Sequence, residues 1–201
     1  LATNGCEVTK LSRAADGFDI TDPESVEGAM NGVRGPFDTV LIASGILAPE
    51  GARPEKSLAE IDAENMARVM AVNAIGPALV LQNLPRLLPQ DARCVVGVLT
   101  ARVGSISDNH LGGWYSYRAS KAALNMLVKT AAIEVGRTRP NSVLLALHPG
   151  TVISRLSAPF QAGGKARPAS IAAAEMLRVI DQLGPEASGG FYAYNGEQLP
   201  W

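Results

Sequence analysis

Cysteine and histidine are scarce: the 201 residues hold two of each, Cys6, Cys94, His110 and His148. Neither cysteine belongs to a CxxC pair and the histidines lack ligand spacing, so neither a disulfide framework nor a zinc site is expected. Isolated thiols of this kind suit a cytoplasmic protein. Aromatics make up only 5%, and 18 Lys and Arg are offset by 19 Asp and Glu, with no basic run. That balance gives a nucleic-acid backbone or an anionic membrane surface nothing to grip. Apolar runs are short, each broken by Pro, Gly or charge before the roughly 20 residues that cross a bilayer. No secretory leader is expected. The start, LATNGCEV, has no Met, and LAT before Asn4-Gly5 reads as the last turn of a helix being stopped.

What is present is a core: 47% of residues are hydrophobic and the length suits one domain. Four short segments rich in Val, Leu and Ile read as strands apolar on both faces: Cys6 to Ser12, Asp38 to Ser44, Cys94 to Thr100 and Ser142 to His148. Helical patterns lie between and after them, over Pro23 to Met30 (Asp22 as cap, Pro23 at the first position), Ala63 to Leu87, Tyr117 to Gly136 and Ala169 to Leu183. The alternation predicts a single α/β domain built on an open, doubly wound, Rossmann-like parallel sheet. Ligands of such sheets collect beyond the carboxyl ends of the strands. Arg13, Ser44-Gly45, Ala101 to Ser105 and Pro149-Gly150 would converge there. The segment Ala158 to Pro168, rich in Gly, Pro and charge, is expected to be a mobile loop.

The stretch WYSYRASKAAL, Trp114 to Leu124, carries the chemistry. Tyr117 and Lys121 are four apart, which puts both on one helix face. A phenol titrates near ~10, so it exchanges protons at neutral pH only if its anion is stabilised, and an ammonium one turn away would do that. Alone, the pair is equally what a solvent-facing helix carries. It does not stand alone. FDIT (Phe18 to Thr21), IASG (Ile42 to Gly45), VNAIGP (Val72 to Pro77), RVGSI (Arg102 to Ile106) and HPGTV (His148 to Val152) surround it. Together with the YxxxK element, that order resembles the short-chain dehydrogenase/reductase family over essentially the whole chain. The likeness is strongest to its sniffer-like carbonyl reductases and C-signal-like bacterial members.

The resemblance implies an oxidoreductase that moves hydride between NAD(P)H and a ketone or aldehyde. Tyr117 would be the general acid, Lys121 its modulator and a ribose ligand, and Asn73 the support of a proton relay. Asp19 and Ile20 would border the adenine, Ser44 and Gly45 the neighbouring ribose, and Pro149, Gly150, Thr151 and Val152 the nicotinamide carboxamide. Arg13, expected directly after the second family strand, suits a 2′-phosphate and tilts the cofactor toward NADP, although an exposed strand-end charge reads the same way. Trp114, His110 and the Ala158 to Pro168 loop would line the substrate pocket. A homodimer or homotetramer is expected because two helices carry Ala and Leu on more than one face.

Three departures qualify that implication. No glycine-rich TGxxxGxG turn occurs, which implies a chain lacking the family's first strand and most of its first helix. Where the family has its catalytic serine the stretch reads LTARVGSI, placing Ala101 there, with Thr100 and Ser105 as possible stand-ins. Ala43 replaces an asparagine in IASG. Ala101 and the missing glycine-rich turn favour a second reading, a catalytically impaired or truncated relative that acts as a binding or signalling protein.

Overall fold

A computed structural model describes residues 5–154, 156–158 and 166–201. The expected helix end at the start of the chain, and residues 159–165 of the expected loop, lie outside the described residues. Four parallel strands pair in the order β1 (Thr39–Ile42), β2 (Cys94–Leu99), β3 (Ser142–His148) and β4 (Gly190–Ala193). The register sets Val40 beside Val96 and Val96 beside Leu144, so one face of the sheet is a continuous apolar ladder. That face carries Val96, Val98, Leu144, Ala146 and Phe191. It packs against α2 (Pro23–Gly32), α4 (Gly76–Leu81) and α5 (Tyr115–Gly136). The alternate residues Val95, Val143, Leu145 and Leu147 meet Val179 and Ile180 of α6 (Ala169–Gln182) on the other side. Two covered faces make this the doubly wound α/β architecture. Each fully buried Leu or Val contributes roughly 1.5–3 kcal/mol.

Local chemistry sets the helix ends. Asp22 accepts from the Glu24 amide at 3.1 Å and Pro23 opens α2, whose Val26 and Met30 face the core one turn apart. Asp62 caps α3 (Ala63–Met70) in the same way, accepting from the Asn65 amide at 2.8 Å.

Four expectations are corrected. The segment Cys6 to Ser12 forms no strand: among the described residues it has no neighbouring strand to pair with, and Cys6 and Leu11 are exposed. Arg13 therefore follows no strand. It heads a four-residue helix, α1 (Arg13–Asp16), because Ser12 accepts from the Ala15 amide and Gly17 supplies the left-handed stop. The long helix over Ala63 to Leu87 is broken. Pro77 has no N–H for the carbonyl four residues back, and Ala71–Ile75 widens into a π turn in which the Gly76 amide reaches the Ala71 carbonyl. Finally, Gly190–Ala193 is a strand that the sequence pattern did not mark. Its four residues pair only over Leu145 to His148 of β3.

Gly76 shows how tightly the broken helix packs. A Cβ there would lie 2.5 Å from the Ile20 carbonyl oxygen and 2.8 Å from Ile20 Cγ1. Gly76→Ala is expected to lower unfolding free energy by about 1–3 kcal/mol, read as an earlier urea midpoint at unchanged slope. An unshifted midpoint would mean the Ile20 segment yields freely.

Candidate active site

The carboxyl ends of β1, β2 and β3 open on one side of the sheet, and the first turns of α5 lie across them. Tyr117 and Lys121 occupy those turns and are 6% and 3% exposed, so they form no solvated surface pair. Lys121 Nζ stands 5.9 Å from the centre of the Tyr117 ring. It donates to the Leu99 carbonyl, 3.1 Å away at the end of β2. Gly104 makes this approach possible, since a Cβ there would lie 2.9 Å from that of Lys121.

Burial sets the protonation of both groups. It pushes the Tyr117 phenol up to about 12 and the Lys121 ammonium down to about 8. Burial thus raises the phenol's pKa, where the spacing with Lys121 led to the expectation of a lowered one. The ammonium spends a proton on the Leu99 carbonyl, and among the described residues no hydrogen bond joins it to the phenol. Tyr117 is a protonated donor at neutral pH. Between about pH 8 and the ordinary lysine value of 10.5, the unfolded chain holds the Lys121 proton and the folded chain has released it. This group therefore adds stability as pH rises through that window, and the contribution is lost as pH falls through about 8. The stability difference between wild type and Lys121→Met is expected to move in favour of wild type across it. Urea titrations at both ends check this, and a constant difference contradicts it.

Asn73 sits in the π turn, fully buried. Its Oδ1 accepts from the Ile46 amide and its Nδ2 donates to the Ile46 carbonyl, both at 2.8 Å. Nδ2 also donates to Ser120 Oγ at 3.0 Å, and Ser120 in turn donates to the Tyr117 carbonyl. The turn thus welds the segment after β1 to α5. Between them lies Gly45, where a Cβ would meet Lys121 Nζ at 3.4 Å and Asn73 Oδ1 at 3.5 Å. The absence of a side chain there leaves room for a ligand beside both. Next to it, Ser44 Oγ is buried and has no hydrogen-bond partner among the described residues. An orphaned hydroxyl at the mouth of a sheet crevice fits a polar ligand such as a ribose.

The remaining sequence-derived positions divide. Asp19 is drawn into its own turn, accepting from the Thr21 amide at 2.9 Å and the Thr21 hydroxyl at 2.7 Å, and that hydroxyl bond lowers its pKa most. Ile20 packs against Gly76 and the core. Pro149 and Gly150 follow β3, and Val152 bridges Arg167. Arg167 donates from Nη2 to the Pro149 carbonyl at 2.6 Å, pairs with Glu175 and lies 3.5 Å over the Tyr194 ring. Neither stand-in for the missing serine hydroxyl is free: Thr100 Oγ faces the Lys121 carbonyl at 3.5 Å, and buried Ser105 Oγ accepts from the Asp108 amide. Ala101 is half-buried, two residues beyond β2.

A cavity of about 690 Å³ adjoins Gly45, lined by Leu47, Arg53, Lys56, Trp114 and Leu156. This volume suits a small organic molecule. Trp114 lines it as expected and meets Tyr117 edge-on at 6.1 Å, whereas His110 is not part of the wall. Sequence reasoning missed Glu55 and Arg167. Glu55 is 7% exposed in a charged loop and binds Ser116, and only the folded chain brings the two together.

The family model described as Enoyl-(Acyl carrier protein) reductase matches residues 7–184. The chain is 38% identical over 174 residues to the C-signal protein of Myxococcus xanthus, covering 86% of this chain and 98% of that one. It is 35% identical over 190 residues to 1-hydroxy-2-glutathionyl-2-methyl-3-butene dehydrogenase of Rhodococcus sp. (strain AD45), covering 92% and 79%. Among solved structures, the NADPH-bound carbonyl reductase from chicken fatty liver superposes with a TM-score of 0.79 at 26% identity, covering 92% of this chain and 75% of that one.

Proposed function

The chain belongs to the short-chain dehydrogenase/reductase family, and from that premise we propose that it reduces the carbonyl of a small ketone or aldehyde with NADPH. The observation that carries this reading is the buried Tyr117–Lys121 pair beside Gly45, Asn73 and the cavity. Lys121 suits the ribose of the nicotinamide half, Ser44 and Gly45 the ribose beside the adenine, and Pro149 to Val152 the carboxamide. Arg13, exposed at the head of α1, is suited to the 2′-phosphate. No residue of this sequence supplies a glycine-rich turn for the pyrophosphate. When bound, the reduced dinucleotide supplies the hydride. Tyr117, kept protonated by burial, gives its proton to the carbonyl oxygen on which charge develops. Lys121 faces the ring that loses the proton and favours the resulting phenolate. Asn73 keeps the Ile46 backbone and α5 in register, so neither group drifts.

Support for NADPH comes from the chicken carbonyl reductase, which binds it. No helix among the described residues is long and apolar enough to cross a membrane. A cytoplasmic location and a homo-oligomer belong to the same proposal; Met126 and Ile133 on α5 are 66% and 54% exposed and would be covered by a second copy. The test is a fluorescence titration with NADPH followed by oxidation assays against a panel of carbonyls. Binding with turnover is expected, and no binding at millimolar cofactor would overturn the proposal. Ala101 favours one alternative, a binding or signalling relative, for which the outcome is cofactor binding without turnover of any carbonyl.

A further inference from the structure

We propose that Glu55 is a positioning residue: from a loop 61 residues earlier in the chain than Ser116, its carboxylate caps α5 and thereby fixes Tyr117 in the crevice. This rests on Tyr117 being the proton donor. The first amides of a helix have no acceptor within it and need one from elsewhere. The sequence before α5, GGWY, offers no Ser, Thr, Asp or Asn for the task. Trp114 holds the cap position in a left-handed conformation, φ 54° and ψ 45°, and its side chain caps no amide. Glu55 supplies what is missing. Its Oε2 accepts from the Ser116 amide at 3.2 Å, its Oε1 accepts from the Ser116 hydroxyl, and its carbonyl accepts from the Trp114 amide at 2.5 Å.

The charge is well placed. A carboxylate at a helix N-terminus is favoured by the helix dipole, and its hydrogen bonds to N–H and O–H are charge-assisted. Gly113 turns the chain toward Glu55 at φ 65°, a left-handed conformation that favours glycine. A nearly buried acid in an otherwise exposed loop needs such partners, and all of them lie in the three residues before Tyr117. The neighbours Arg53 and Lys56 line the cavity, so one acid ties the cavity wall to the catalytic turn. Without it the helix would fray from its start, and Tyr117 stands in the first turn.

Residue-resolved hydrogen exchange on the full chain tests this together with steady-state kinetics. Glu55→Ala is expected to speed exchange at Ser116 by about tenfold relative to Leu124 and Val128 in the same helix, a cap-sized effect. Glu55→Gln, which keeps one side-chain acceptor, is expected to fall between Glu55→Ala and wild type. For any carbonyl that wild type reduces, kcat should fall in the same order with KM for NADPH unchanged. Exchange that rises equally at Leu124 and Val128, or does not rise at Ser116, overturns the proposal. If Glu55→Ala does not fold, Glu55→Gln against wild type carries the comparison. A wild type inert toward every carbonyl defeats the reductase reading instead, and Ser116 exchange still decides the cap.

Discussion

Tyr117→Phe is expected to lower turnover by about 10²–10⁴-fold while leaving NADPH affinity unchanged. The substitution removes one hydroxyl from a ring that is already 6% exposed, so the packing of α5 on the sheet persists. The edge contact with Trp114, at 6.1 Å between ring centres, needs only the ring and is retained. What disappears is the proton. Burial pushes the phenol up to about 12, so at neutral pH it is uncharged and keeps its proton. Measured kcat and NADPH affinity check the split. A loss confined to affinity would mean Tyr117 binds cofactor and does not transfer a proton.

The second large effect runs the other way: Ala101→Ser is expected to raise turnover by about 10²–10³-fold, the value of one preorganised donor to a developing oxyanion, about 2.7–4 kcal/mol. Ala101, two residues beyond β2 and at the head of the turn Arg102–Gly104, has extended backbone, φ −152° and ψ 148°, which serine adopts without strain. No other hydroxyl nearby fills the role. Thr100 donates its proton to the Lys121 carbonyl, and Ser105, which accepts from the Asp108 amide, is 2% exposed. A gain in kcat with little change in NADPH affinity is the expected pattern. An unchanged kcat in Ala101→Ser would place residue 101 away from the reacting carbonyl and favour the binding reading.

The two central strands were legible because burial on both faces leaves a mark that the short Gly190–Ala193, although buried, was too brief to carry. Ser142–His148 reads as a strand to the residue, since every position from Ser142 to Leu147 is buried. Helix starts were legible where a cap is local, as at Asp22 and Asp62. They failed where it is remote. The start of α5 was expected at Tyr117 and lies at Tyr115, because its acceptor is Glu55 in another loop. Cys6 to Ser12 has strand composition, yet composition cannot supply a neighbour to pair with. The Asn73 side chain in the π turn pairs with the Ile46 backbone, 27 residues earlier, a contact that no local pattern encodes. The spacing of Tyr117 and Lys121 placed both in one site. Their protonation did not follow from spacing, because desolvation outweighs their mutual field.

The central claim is that the crevice delivers hydride to a carbonyl carbon while Tyr117 delivers the proton. Incubation with NADPH deuterated at the transferring position, followed by mass spectrometry of the alcohol, tests it most directly. The account expects the deuteron on the former carbonyl carbon, at a rate that falls in Tyr117→Phe and climbs in Ala101→Ser. Alcohol formed without the label, or formed equally fast by Tyr117→Phe, would contradict it.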